Sequence, residues 1–343
     1  MSGLPDRLAA ANPVLAAPMA GGPTTPAMVV AARRAESFGF LAGGYKSVDA
    51  LASEMREVRA SAPVFGVNLF APNPLPVDPG AYRSYAEAIR EEGIRFGLDL
   101  TSVPAREDDD GWAEKVALLL EDPVPVVGFT FGVPSREVVD ALRRQGSLLV
   151  QTVTSGAEAA MAAGAGIDVM LVQSHEAGGH FGTLTPGSPS PPVALTALVT
   201  EVKSATGLPV IAAGGLGTTE AIREVLGAGA EAVMVGTHLL RTDESGASPT
   251  YKAALADRRE HPTAVTRAFS GRPARGIRNG FMQRYEARAP LGYPAVHHLT
   301  SPLRRAAAAA GEPDLVNLWA GTAHASAPDG SVTAALTALA AGL

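Results

Sequence analysis

The chain has 343 residues, 46% of them hydrophobic and 18% charged, enough to bury a large core in one big domain or two smaller ones. A formal charge of −6 and a pI near 5.7 argue against broad nucleic-acid binding; no apolar run is long enough to cross a bilayer, and Asp6, Asn12 and Pro13 interrupt the N-terminus where a signal peptide needs a clean apolar stretch. Zero cysteines exclude disulfides, thiolate catalysis and cysteine-held metal sites, and leave a cytoplasmic location as the default expectation.

Strand-like and helix-like runs alternate from the start. Pro13 to Pro18 is a short apolar run ending in Gly21-Gly22, and Thr24 to Ser37 reads as a helix capped by Thr24 or Thr25 with Pro26 in its first turn. Phe38 to Leu41 repeats the pattern, ending in Gly43-Gly44 before the helix-like Val48 to Ala60, and Val64 to Asn68 is a third strand. The proline-rich Ala71 to Pro79 cannot be regular; a helix over Ala81 to Glu92 and an acidic, solvated loop over Glu107 to Asp110 complete an insertion near 71–110. The rhythm then resumes, with strands at Val124 to Phe131, Ser147 to Thr152, Asp168 to Gln173, Leu208 to Ala213 and Ala232 to Val235, separated by helices. Eight strands, each followed by a helix-like run, predict a (β/α)8 TIM barrel over residues 1–237. Beyond it a smaller, mainly helical second domain or lid over 238–300 is expected to cover the substrate, and a helical extension over 301–343 to pack back on the barrel.

Glycines cluster where predicted strands end, at Gly21-Gly22, Gly43-Gly44, Gly178-Gly179, Gly214-Gly215 and Gly236. Ligands of such barrels sit at those ends, and the last two βα loops commonly hold a phosphate on backbone N–H groups. The stretch from Asp168 to Gly182 is the focus, because a buried strand breaks into a glycine-rich loop carrying His180, whose side chain titrates near neutral pH when unperturbed. A histidine in a turn is ordinarily a surface residue; its place at a strand end singles this one out. His175 and His180 lie five apart with Gly178-Gly179 between, which removes the His-Glu-x-x-His zinc geometry, and no metal site is expected. His297-His298 is expected at the surface. Residues Arg258 to Arg288 carry eight arginines against Glu260 and Glu286, read either as a solvated helical surface or as a lid facing an anionic ligand.

Five ordered motifs carry a resemblance: Ala17-Pro-Met-Ala20, Gly66-Val-Asn-Leu-Phe70, Gln173 with Glu176-Ala-Gly-Gly-His-Phe-Gly182, Ala212-Ala-Gly-Gly-Leu-Gly217 and Met234-Val-Gly-Thr237. Together with Asn317-Leu-Trp-Ala-Gly321 the chain resembles the nitronate monooxygenases, while Ser174-His175 and Thr322 depart from residues common there. The resemblance implies an FMN-binding TIM barrel that oxidises alkyl nitronates, or the parent nitroalkanes, with O2 to carbonyl compounds and nitrite. It implies FMN contacts at Met19, Ala20, Asn68, Gln173, Gly178, Gly179, Gly214, Gly215, Met234, Val235, Gly236 and Thr237, and a catalytic His180. A neutral imidazole would suit the α-proton of a nitroalkane and an imidazolium would suit an anionic nitronate. Two alternatives share the barrel: an FMN-dependent enoyl reductase using NAD(P)H, for which the arginine-rich segment would dock an acidic carrier protein, and a flavin- or phosphate-binding protein without turnover.

Overall fold

Eight parallel strands form a ring: β1 (Val14–Ala16), β2 (Phe40–Ala42), β3 (Gly66–Phe70), β4 (Val126–Thr130), β5 (Leu148–Val153), β6 (Val169–Gln173), then, after a two-residue strand β7 (Gly179–His180), β8 (Val210–Ala213) and β9 (Ala232–Val235). The structure is a computed structural model and describes Leu4, Leu8 and residues 10–257 and 260–343. The order β1-β9-β8-β6-β5-β4-β3-β2 returns on itself, since the Ala16 N–H donates to Phe38 O at 2.9 Å and Ala16 bridges Gly39 in parallel. The chain is thus the (β/α)8 TIM barrel that the alternation predicts.

Why these runs are strands buried on both faces is visible in how alternate residues divide. Leu15, Phe40, Val126, Val150, Leu171, Ile211 and Met234 fill the barrel interior, joined by Leu4 and Leu8. Their neighbours Val14, Leu41, Val127, Leu149, Val172, Ala212 and Val233 face the helices. Caps fix where helices begin: Thr25 accepts from the Met28 N–H at 3.1 Å, and Thr218 from Ala221 N–H at 3.3 Å. Thr24 does a different job, taking the Met19 N–H at 2.8 Å and so shaping the loop after β1.

Two expectations need correction. The helix expected over Ala81 to Glu92 begins at Pro79, after the Asp78 cap, and divides at Ile89 into Pro79–Ala88 and Arg90–Ile94. The helix that completes the barrel after β9 does not follow it directly. Helix Val332–Ala340 fills that place, packing on β1 and on helix Pro26–Arg34, with its Leu336 O accepting from Asn12 Nδ2 at 3.3 Å. Residues 238–331 are therefore an excursion inside the last strand-to-helix connection.

That excursion builds a second apolar core. Phe269, Phe281, Leu299 and Leu303 pack there with Tyr82, Tyr85 and Ile89 of the 71–110 insertion, and the Tyr85 hydroxyl donates to Ala268 O at 2.6 Å. It is not only helical: β10 (Thr263–Thr266) and β11 (Ala274–Ile277) form an antiparallel pair that β7 extends. The boundary at 300/301 falls inside helix Ala295–Ala310. Arg258 and Arg259 lie outside the described residues.

Candidate active site

A cavity of about 540 Å3 opens at the C-terminal ends of the barrel strands and is roofed by the excursion. Its floor is backbone. Met19, Ala20, Gly214, Gly215, Met234, Val235, Gly236 and Thr237 all line it. Among the described residues no protein acceptor meets the N–H groups of Gly215, Leu216, Gly236 or Thr237. Gly214 and Gly215 have φ of +109° and +74°, and a Cβ on Gly214 would lie 2.9 Å from Ala177 N. Close packing also sets Gly236, where a Cβ would meet Met19 Sδ at 3.3 Å. The result is a shallow arc of unpartnered donors, built where two glycine-bearing loops lie side by side. Gly43 and Gly44 are a different case. They stay outside the cavity, small because Leu69 and Phe70 fill the space a side chain would need.

The walls carry Asn68, Gln173, Gly178, Gly179 and His180. Asn68 Oδ1 accepts from Thr130 Oγ1 at 3.2 Å, and its Nδ2 meets no protein acceptor among the described residues. Gln173 clamps the histidine loop, giving Nε2 to His180 O at 3.2 Å and taking the Gly182 N–H at 2.7 Å. Downstream, Glu158 holds Thr183 Oγ1 at 2.6 Å and Leu184 N–H at 2.7 Å. The loop is therefore rigid, and β7 pairs Gly179 with Arg275 and His180 with Ala274. Gly178 lacks a side chain for a reason other than ligand access: a Cβ there would lie 2.6 Å from Gly321 N.

His180 is the meeting point of barrel and roof. Its Nε2 lies 2.8 Å from Ser270 Oγ, and its ring contacts Phe131, Tyr293 and Trp319 edge-on at centroid distances of 5.9, 5.7 and 5.5 Å. The residue is half-buried and lines the cavity. Burial first, then the charges of Arg272 and Arg304, push its pKa down from 6.5 to about 3, so the imidazole is neutral at physiological pH.

The roof supplies residues that sequence reasoning missed. His297, Ser301, Arg304 and Ala308 line the cavity from one face of helix Ala295–Ala310, a spacing of four, three and four that could have betrayed the face in advance. His297 is not a surface residue; it stacks on Tyr45 at 4.1 Å and 7°. Arg304 is fixed by Thr300 Oγ1 at 3.1 Å, Asn317 Oδ1 at 3.2 Å and His297 O at 3.0 Å. Arg272, fully buried, lies 4.0 Å over the Phe131 ring behind the cavity wall. Neither guanidinium has a carboxylate partner among the described residues, and burial lowers both to about 10. The cations that line the cavity are therefore Arg304 and the more exposed Arg305, both outside the Arg258 to Arg288 segment. Within that segment Arg275 is tied to His175 O at 2.7 Å, and Arg267 and Arg284 pair with Glu286 and Glu92.

Tyr45 sits at φ +64°, held by its N–H on Asp110 Oδ1 at 2.8 Å, while Lys115 binds the other Asp110 oxygen at 2.7 Å. Asp110 is thus part of the site's support, not of a solvated acidic loop. The Tyr293 hydroxyl donates to Tyr45 OH at 3.0 Å, and burial raises Tyr45 to about 12. Among the described residues no group of three or more His, Asp or Glu side chains is placed to hold a metal ion. No described helix is long and apolar enough to cross a membrane.

Comparison with known proteins gives the family and the fold. The profile of the family described as nitronate monooxygenase matches residues 5–341. A probable nitronate monooxygenase of Staphylococcus saprophyticus is 34% identical over 315 residues, covering 90% of this chain and 88% of that one. The crystal structure of a nitroalkane oxidase from Streptomyces ansochromogenes superposes with a TM-score of 0.93 at 42% identity, covering 99% of this chain and 97% of that one. FabK from Thermotoga maritima, at 24% identity and a TM-score of 0.76 over 98% of this chain and 94% of its own, shares the fold.

Proposed function

The chain belongs to the nitronate monooxygenase family, a family of oxidoreductases, and from that premise we propose that it binds FMN and oxidises alkyl nitronates with O2 to carbonyl compounds and nitrite. The observation that carries the reading is His180, neutral and rigidly held, in the same cavity as the arc of free N–H groups at Gly215, Leu216, Gly236 and Thr237.

The residues fit the cofactor. A phosphate needs several convergent donors and a backbone without obstructing Cβ atoms, and the loops after β8 and β9 offer both. A volume of about 540 Å3 is within the usual range of ligand pockets. The amide of Asn68 and the loop around Met19 and Ala20 would hold the ring system, and Gln173 acts through the loop it clamps. When bound, the flavin supplies the electron acceptance from substrate and the reaction with O2.

The protein's own part is protons and charge. Arg304 and Arg272 make the cavity electropositive, which draws in a nitronate anion and stabilises it once there. Burial first, and then that field, hold His180 neutral, leaving a lone pair to take the α-proton of a nitroalkane; the C–H electron pair passes into the nitro group and the proton to the imidazole. The field thus strengthens the carbon acid and stabilises the nitronate it forms, and the charge of that anion in turn offsets the arginines that depress His180. The reading therefore takes in both nitronates and their parent nitroalkanes. The enoyl-reductase reading draws on the arginine-rich segment as a docking surface, and of that segment Arg272 is internal and Arg275 is tied to His175 O, while Arg267 and Arg284, at the surface, pair with Glu286 and Glu92.

The test is a visible spectrum of the purified protein, followed by anaerobic addition of NADH and then of an alkyl nitronate. A flavin spectrum bleached by nitronate and unchanged by NADH is the expected result. Bleaching by NADH alone would transfer the chain to the reductases, and a protein that binds no FMN on reconstitution would end the reading.

A further inference from the structure

We propose that Ser270 is a positioning residue that fixes the tautomer of His180, so that the proton rests on Nε2 and Nδ1 is the basic nitrogen facing the substrate. The inference rests on the functional reading above and adds a residue to it.

The hydrogen-bond inventory leads there. A serine hydroxyl has one proton to give. Ser270 Oγ lies 3.2 Å from Arg272 O and 2.8 Å from His180 Nε2. A carbonyl can only accept, and among the described residues Ser270 Oγ is the donor that meets Arg272 O. Arg272 is fully buried, so if the hydroxyl turned to the imidazole that carbonyl would lose its partner in the interior. The hydroxyl proton therefore goes to Arg272 O, the hydroxyl oxygen accepts, and His180 must donate through Nε2–H. Nδ1 is then the lone-pair nitrogen. It has no protein partner, it is not among the atoms sealed from solvent without one, and the ring lines the cavity.

The hydroxyl is held where this works. The Ser270 N–H donates to Arg267 O at 3.1 Å, closing a turn whose Gly271 has φ +74° and packs directly on Gly292. The two carbonyls before it are pinned as well, Ala268 O by the Tyr85 hydroxyl and Phe269 O by Thr300 Oγ1. Ser270 belongs to the roof, His180 to the barrel, so the roof sets which nitrogen the barrel histidine offers.

The test uses the FMN-loaded enzyme. Imidazole 15N spectra at neutral pH, with the His180 signals assigned by their loss in His180→Asn, should show the Nε2–H tautomer in the wild type. Ser270→Ala should give a mixture of tautomers and a fall of about ten- to a hundredfold in kcat for nitroalkane, with FMN affinity unchanged, and Ser270→Thr should restore both. A wild-type His180 carrying its proton on Nδ1 would overturn the inference alone. So would a Ser270→Ala enzyme that slows while its tautomer stays fixed, since that is a packing defect. Absence of nitronate and nitroalkane turnover in the wild-type holoenzyme would overturn the functional reading together with it.

Discussion

The floor and the roof of the cavity are built by opposite means. The floor is main chain, glycines and unpartnered N–H groups at the ends of β8 and β9, and almost nothing in it titrates. The roof and the wall it touches are side chains, with Arg304, His297, Tyr45, Ser270 and Trp319 held by hydrogen bonds and ring contacts around His180. A backbone floor recognises an anion by geometry that few substitutions can improve, whereas a side-chain roof sets charge, proton position and shape, and can change them one residue at a time. Cofactor holding and substrate chemistry should therefore be separable by mutation.

The sharpest attempt to break that division is His180→Asn. Loss of the base should lower kcat/KM for a nitroalkane by about 10²–10⁴ and lower it less for a nitronate, which arrives without its α-proton, while FMN stays bound. Steady-state rates on the two substrates and the flavin content of the variant measure this. Equal losses on both would mean that His180 does not act on the α-proton. The reciprocal change is Gly214→Ala. A side chain at φ +109°, pressed on Ala177 N, should distort the floor and weaken FMN binding by about ten- to a hundredfold, as read by titration of the stripped protein. The tautomer of His180 in the reloaded variant should be that of the wild type. A Gly214→Ala protein with unaltered FMN affinity would mean the phosphate lies elsewhere.

The same division explains what could be read in advance. Floor residues announce themselves because strands end at glycines, a short-range rule, and the FMN contacts that the resemblance implies, on floor and walls alike, line the same cavity. The roof depends on chain returning from far away. Ser270 meets His180 across 90 positions, and Tyr293 meets Tyr45 across 248. No local pattern carries such pairings. Arg272 shows the same limit from the other side, since a charge run reads as solvated until packing buries one member of it. The last barrel helix, Val332–Ala340, is legible both as a helix and as one that packs back on the barrel, because its alanine- and leucine-rich run needs an apolar surface to cover it. That the chain between β9 and this helix forms one long excursion is not legible from any local pattern.

A smaller effect compares one histidine from each region. His238, next to Thr237 at the floor, is lowered to about 4 by burial alone, and its Nδ1 has no partner; His180 is lowered to about 3 by burial and two arginines. Both are depressed from 6.5, so in the unfolded chain each takes up a proton as pH falls through that value, while in the folded protein neither does until near pH 4 or 3. Between those limits the unfolded state binds more protons, stability rises with pH, and the stability present above pH 6.5 is lost on acidification. From pH 7 to pH 5 each histidine should remove on the order of 2 kcal/mol, visible as a fall in the urea midpoint. His238→Gln should remove its share of that slope at any salt concentration, because burial is its cause. His180→Asn should remove a share that shrinks when an anion occupies the cavity, because part of its cause is the field of Arg272 and Arg304. If both variants respond to anions alike, the roof is not the source of the charge that His180 feels.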